Sequence, residues 1–302
     1  MTKMNEAQRQ RELDRYRVVD TLPDEAFEDI VQVAAAVCGT PTALITMIDR
    51  GRQWFRARIG LDRNETRRDE AFCDHAIRVP EQFFEVPDAT QDTRFASNPL
   101  VTGGPAFRFY AGMPLVTPAG AALGTVCVLD KVPRTLNEAQ RTALSALARL
   151  TMNLIEAKNR ERELERAVQL AAPKTTNAPS PELSDCTVAI FEVRNVGATI
   201  DRMGEHFERL LQSLHDGLES SLRPGSGDSV SRVSGCAELI ALLHSPANGE
   251  PLRALQDRVT TFERETGLQI VSAHSESEIP NEGLEKVFQR ADQALTRAKD
   301  AM

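Results

Sequence analysis

The run Ala172–Ser184 constrains this chain more than any single motif in it. Ala-Pro-Lys-Thr-Thr-Asn-Ala-Pro-Ser-Pro-Glu-Leu-Ser holds three prolines and no apolar periodicity, so neither a helix nor a central strand can pass through it. It predicts a flexible linker over 172–184 with a separate hydrophobic core on each side. A length of 302 residues suffices for two domains of ordinary size and a connector.

A hydrophobic content of 41% with 26% charged residues is that of a globular chain. The net charge of −8 argues against nucleic acid and against an anionic membrane surface as the main partner. Met1–Arg11 is too polar for a secretory signal, and no apolar run reaches the roughly 20 residues that span a bilayer. The five cysteines, at 38, 73, 127, 186 and 236, lack CxxC spacing. They predict reduced, mostly buried thiols and a cytoplasmic location.

Residues 1–22 predict a charged N-terminal helix with a thin stripe of Leu13, Tyr16 and Val19. After the break at Pro23, the residues Phe27, Ile30, Val31, Ala34 and Val37 recur at helical spacing up to Gly39. Thr42–Asp49 and Gln53–Ile59 flank a tight turn as one hairpin, and Phe109–Val116 and Ala122–Asp130 make a second over Pro118–Gly120. Between them lie a short helix at 71–77, an edge strand at 84–89 and a long loop at 90–108. The order predicts an antiparallel sheet with helices on one face.

Leu22-Pro-Asp-Glu-Ala-Phe27, Asp49-Arg-Gly-Arg-Gln-Trp-Phe55, Phe72-Cys-Asp-His-Ala-Ile77, Phe109-Tyr-Ala-Gly112 and Leu123-Gly-Thr-Val-Cys-Val-Leu-Asp130 resemble a GAF domain. The resemblance covers about residues 5–160, with the domain itself at 23–135, and it implies a small-molecule pocket between sheet and crossover loops. Candidate ligand residues are Trp54, Phe72, Cys73, His75, Arg108 and Tyr110. Trp54 and Phe55 also read as sheet packing, and Arg108 as either a pocket-lip or a surface residue. Cys73 and His75, two apart on a helix, point to different faces and have no partner ligands at zinc spacing, so no metal is expected. Cys73 reads as core. No cofactor is implied, and the ligand itself is not legible.

The segment 136–171 predicts one long helix. Leu147, Leu150, Leu154, Ala157, Glu161, Leu164, Val168 and Ala171 alternate by three and four for about three heptads, with Glu161 as one polar slot. So narrow a stripe favours a coiled-coil homodimer through residues 147–171. Packing of a single amphipathic helix back on the sheet accounts for the first half of the stripe only.

The second half, 185–302, predicts a strand at 187–193, one helix at 198–222, paired strands around Ser234-Gly235, a helix at 252–266, a strand at 268–273 and a final helix at 283–301. Asp228…Arg232-Val-Ser-Gly235 and Ala291-Asp-Gln-Ala-Leu…Ala-Lys299 resemble the GGDEF domain of diguanylate cyclases, which join two GTP molecules into cyclic di-GMP. The whole chain then reads as a two-domain α+β and α/β protein: a GAF antiparallel sheet with helices, a long coiled-coil linker helix, and a nucleotide-cyclase-like α/β sandwich.

The resemblance implies that the family's metal-binding turn, Gly-Gly-Asp/Glu-Glu-Phe, falls on Ser234, Gly235, Cys236, Ala237 and Glu238. A soft thiol at Cys236 does not suit Mg²⁺, which takes oxygen ligands. The first-strand aspartate falls on Glu192, the guanine-reading residues on Ile200 and Arg209, and the first phosphate lysine on Gly197, while Lys299 is retained. At the inhibitory product site Asp228 is in register but Gly225 stands where an arginine is needed. Glu192 and Lys299 are the remaining candidates for nucleotide contact. These losses predict a catalytically inactive module that serves as a docking surface for a signalling partner. The alternatives are residual cyclase or altered nucleotide-binding activity, or a cyclic di-GMP receptor.

Overall fold

The computed structural model describes residues 4–171, 186–204, 206–233, 235–244, 249–279 and 282–301. The linker expected at 172–184 and Ser234 lie outside the described residues. The chain divides into two compact units, 1–159 and 160–302.

In the first unit, α1 (Glu6–Tyr16) begins at a capping box in which Asn5 and Gln8 satisfy each other's backbone N–H. Helix α2 (Glu25–Cys38) is capped by Asp24 and stopped by Gly39, whose φ of 63° is the left-handed conformation glycine accepts without strain. Then come β1 (Thr42–Ile48), β2 (Arg52–Ile59), β3 (Glu65–Arg67), α3 (Phe72–Ala76), β4 (Phe84–Val86), α4 (Pro99–Thr102), β5 (Phe109–Val116), β6 (Ala122–Asp130) and α5 (Glu138–Ala171). The strands form one antiparallel sheet in the order β3-β2-β1-β6-β5-β4.

Strand alternation gives this sheet two faces of different chemistry. One carries Ile45, Met47, Trp54, Phe109, Leu123, Val126 and Val128 against α1, α2 and α5. The other carries Leu44, Ile48, Phe55, Tyr110, Cys127 and Leu129 beneath α3, β4, α4 and their connecting loops. The expectation of helices on one face therefore holds for the long helices, while short helices and loops cover the opposite face.

Helix α5 buries Leu144, Ala148, Met152 and Ile155, a face offset from the stripe singled out in its sequence. Leu147 and Leu154 are half-buried against the core, and Leu150, Leu164 and Val168 are exposed.

The second unit contains the end of α5 and β7 (Cys186–Val193), α6 (Val196–Met203), α7 (His206–Ser220), β8 (Ser229–Arg232), β9 (Glu238–His244), α8 (Glu250–Thr266), β10 (Ile270–Glu276) and α9 (Leu284–Asp300). Its four strands are antiparallel in the order β10-β7-β9-β8. Val188, Ile190, Ile240 and Leu242 pack with Val287, Ala291 and Leu295 of α9, and α7 packs against α8 and β8. The single helix expected at 198–222 is instead two. Helix α6 stops at Met203 because Gly204 adopts φ 55° and ψ −137°, outside any helical conformation.

Candidate functional site

On the loop-covered face of the first sheet, register brings polar side chains together. Thr46 on β1 lies opposite Thr125 on β6, and Cys127 opposite Gly112 on β5. The hydroxyls of Thr46 and Thr125 are 3.1 Å apart. The Thr125 hydroxyl also donates to Cys73 Sγ at 3.1 Å, and Tyr110 Oη donates to the same sulfur at 3.3 Å. Cys127 Sγ lies 3.8 Å from Cys73 Sγ. Tyr110 is positioned by the Phe72 ring at 5.3 Å, which in turn stacks on Phe95 at 4.3 Å.

A cavity of about 20 Å³ adjoins this cluster, lined by Gln53, Phe55, Thr66, Phe72, Cys73, Phe107, Tyr110 and Cys127 among others. Gln53 is buried, and its Oε1 has no hydrogen-bond partner among the described residues. Burial raises the Cys73 thiol, but hydrogen bonds from Cys127, Thr125, Thr46 and Tyr110 outweigh it and bring its pKa down to about 7. Burial holds Tyr110 and Cys127 well above their ordinary values, with the neighbouring Cys73 acting in the same direction.

Of the six candidate pocket residues, Phe72, Cys73 and Tyr110 meet at this cavity. Trp54 does not, because it lies on the opposite face of β2, in the helix-covered core. His75 packs edge-on against Phe95 at 4.8 Å, and burial, then Arg78, lowers its pKa. Arg108 donates to the carbonyls of Val101 at 2.8 Å and Phe107 at 3.2 Å, so it braces the loop and does not line the cavity. Gln53, Thr125 and Cys127 were not among the candidates. Cys127 could have been found from alternation in β6, which sends it to the face that Phe55 and Tyr110 occupy.

A larger groove of about 910 Å³ borders α1 and α3. Its charges answer one another: Arg9 and Arg68 each reach Glu6 at 2.7 Å, and Asp74 takes Arg68 at 2.8 Å and Arg78 at 2.5 Å. None of the six candidate pocket residues lines it.

In the second unit the residues expected around the turn are arranged as follows. Val233 N donates to Glu238 O at 3.0 Å, and Gly235 turns the chain with φ 71°. Cys236 and Ala237 are buried, and Cys236 Sγ donates to Val233 O at 3.5 Å. Glu192 and Glu238 face each other across β7 and β9. Lys299 Nζ donates to Glu192 at 2.5 Å. Arg166 Nη2 donates to both oxygens of Glu238 at 3.0 and 3.2 Å, and its guanidinium lies 5.7 Å over the Phe288 ring. Glu192 and Lys299, the two nucleotide candidates, are thus brought together as an ion pair. Arg166, near the C-terminal end of α5, faces Glu238. A divalent cation at these carboxylates would have to displace both bases.

Residues 22–155 match the family model of the GAF domain. They form a GAF domain. The chain is 46% identical over 149 residues to a cyclic di-GMP phosphodiesterase of Pseudomonas aeruginosa, a match covering 49% of this chain and 25% of that protein. The chain therefore spans about a quarter of the length of that relative. Among solved structures it is similar to the GAF domain of an Acinetobacter phosphoenolpyruvate-protein phosphotransferase, at 18% identity over 51% of this chain and 95% of that one, with a TM-score of 0.39. It is also similar to a diguanylate cyclase of Pseudomonas aeruginosa solved with its activator, at 20% identity over 54% and 72%, with a TM-score of 0.34. No helix among the described residues is long and apolar enough to cross a membrane.

Proposed function

We propose that this chain is a cytoplasmic signalling regulator in a cyclic di-GMP pathway. Its GAF domain, the core of which is 23–135, senses a small molecule. Residues 136–171 transmit the state, and residues 185–302 act as a degenerate GGDEF-type docking module without cyclase activity. The observation that carries the reading is the pairing of Glu192 with Lys299 and of Glu238 with Arg166. Both carboxylates of the acid end already have a cation against them, and the turn offers Cys236 and Ala237 where a magnesium site needs oxygen.

The name of the 46% identical relative supports the choice of pathway. Burial of all five cysteines fits a reducing compartment. A cavity of about 20 Å³ is far below the roughly 300 Å³ of a metabolite site, so ligand entry requires the cover of α3 and α4 to move outward. Exposure of Leu150, Leu164 and Val168 along α5 supports a homodimer through residues 147–171.

Incubation of the full chain with GTP and Mg²⁺ tests the reading. No cyclic di-GMP and no metal-dependent GTP binding by calorimetry are expected, and accumulation of cyclic di-GMP overturns it. Native mass spectrometry reads both the dimer and any co-purified ligand.

A further inference from the structure

The sensing reading takes the two thiols on the loop-covered face only as part of the cavity wall. Cys73 belongs to α3 and Cys127 to β6, 54 residues apart in sequence with their sulfurs 3.8 Å apart. A disulfide requires about 2.05 Å, so the two sulfurs are in contact and have to approach further to bond.

The sulfurs differ in character. Donors from Thr125 and Tyr110 converge on Cys73 and favour its thiolate. Cys127 is held as a thiol by burial and by the neighbouring sulfur. Cys38, buried in the same unit, is the internal contrast: burial alone pushes it up to about 11. Both sulfurs of the pair border a cavity of about 20 Å³, room for a molecule of about the size of water. A disulfide such as oxidised glutathione is excluded by size, whereas hydrogen peroxide, with two heavy atoms, is of the admissible class.

We propose that Cys73 and Cys127 form a peroxide-oxidisable dithiol, with Cys73 as the attacking sulfur and Cys127 as the resolving one. The Cys73 thiolate attacks one oxygen of hydrogen peroxide. An S–O bond forms, the O–O bond breaks, and the departing hydroxide takes up the proton that Cys73 released. Cys127 then attacks the Cys73 sulfenic acid. An S–S bond forms, the S–O bond breaks, and the hydroxyl leaves as water with the Cys127 proton. Two thiols are oxidised by two electrons and one peroxide is reduced to two waters. The product ties α3, part of the cavity's cover, to the sheet, and it removes the acceptor thiolate from Thr125 and Tyr110. Oxidation needs no metabolite in the cavity, so the proposal stands apart from the sensing reading.

The test treats the reduced full chain with one equivalent of hydrogen peroxide, quenches with catalase, and alkylates under denaturing conditions before peptide mass spectrometry. Cys73 and Cys127 should lose their label together and appear as one cross-linked peptide that dithiothreitol reverses. Cys38, Cys186 and Cys236 should remain labelled. The Cys127→Ala chain should stop at a sulfenic acid on Cys73 that dimedone traps. In the Cys73→Ala chain, Cys127 should stay reduced. Full labelling of all five cysteines in the wild-type chain, or oxidation of Cys38 at the same rate as Cys73, overturns the proposal. The wild-type measurement decides the matter even where a variant fails to fold.

Discussion

Both sheets bury polar side chains, and they answer the cost of doing so in opposite ways. On the first, hydroxyls, thiols and an amide face a cavity, and Gln53 Oε1 is left without a partner among the described residues. On the second, two glutamates face each other and each has a base against it. A neutral polar cluster keeps capacity to bind or react, because its unpaired atom and ionisable sulfur gain from a newcomer. An acid pair closed by Lys and Arg has lost that capacity to its own counterions. Desolvated carboxylates are costly unless paired, so a chain that keeps Glu192 and Glu238 has to cover them.

The sharpest way to break this contrast is Arg166→Ala. It removes the guanidinium facing Glu238, which is only 1% exposed, and losing one partner of a buried pair costs about 3–5 kcal/mol. Urea unfolding should show the second unit destabilised by that amount, with the first unchanged. Adding Glu238→Leu should restore most of it, which a double-mutant cycle measures. The counterpart in the first unit is Gly112→Ala. A Cβ there would stand 2.4 Å from Tyr110 Oη and 3.0 Å from Cys127 Cβ, so the tyrosine has to leave its hydrogen bond to Cys73. Overpacking of this kind costs about 1–3 kcal/mol, read from the urea midpoint of the first unit.

The contrast is only partly legible in the sequence, for a physical reason. Strand alternation and helix stop signals are local, so the two hairpins and the stop at Gly39 can be read directly. Alternation also places Trp54 and Phe55 on opposite faces, and applying it excludes Trp54 from the cavity. The polar cluster is non-local: Thr46 meets Thr125 across 79 residues and Cys73 meets Thr125 across 52. Arg166 reaches Glu238 across 72. No periodicity carries such pairs. Gly204 illustrates a further limit, since an apolar stripe running on both sides of it masks the break.

Gln53→Leu sharpens the comparison from the cavity side. It removes an unpaired buried oxygen together with a long hydrogen bond of 3.4 Å from the amide nitrogen to Thr66 Oγ1, and the net effect should stabilise the first unit by about 1 kcal/mol or less. A loss of stability would mean that the amide is satisfied in solution by a bound polar molecule. Thermal unfolding in dialysed protein, with and without added extract of small metabolites, separates the two outcomes.

The smallest effect belongs to Thr125→Val, and its value lies in its pH dependence. With burial offset by hydrogen bonds, Cys73 in the folded chain ionises near pH 7, below its unfolded value of about 8.5. Between these values the unfolded chain binds more protons, so stability from this group rises with pH and is lost as pH falls through about 7. Above about 8.5 the trend turns, because unfolded Cys127 ionises while folded Cys127, held well above its ordinary value, does not. Removing the Thr125 donor raises folded Cys73 toward its unfolded value and flattens the rising limb, at a cost of about 1 kcal/mol near pH 8 and less below pH 7. The difference between wild-type and variant urea midpoints from pH 6.5 to 8.5 isolates this group from every other that titrates in that range. A difference independent of pH would mean that Thr125 packs against the sulfur without tuning it, and the first sheet's polar cluster would then be as closed as the second's.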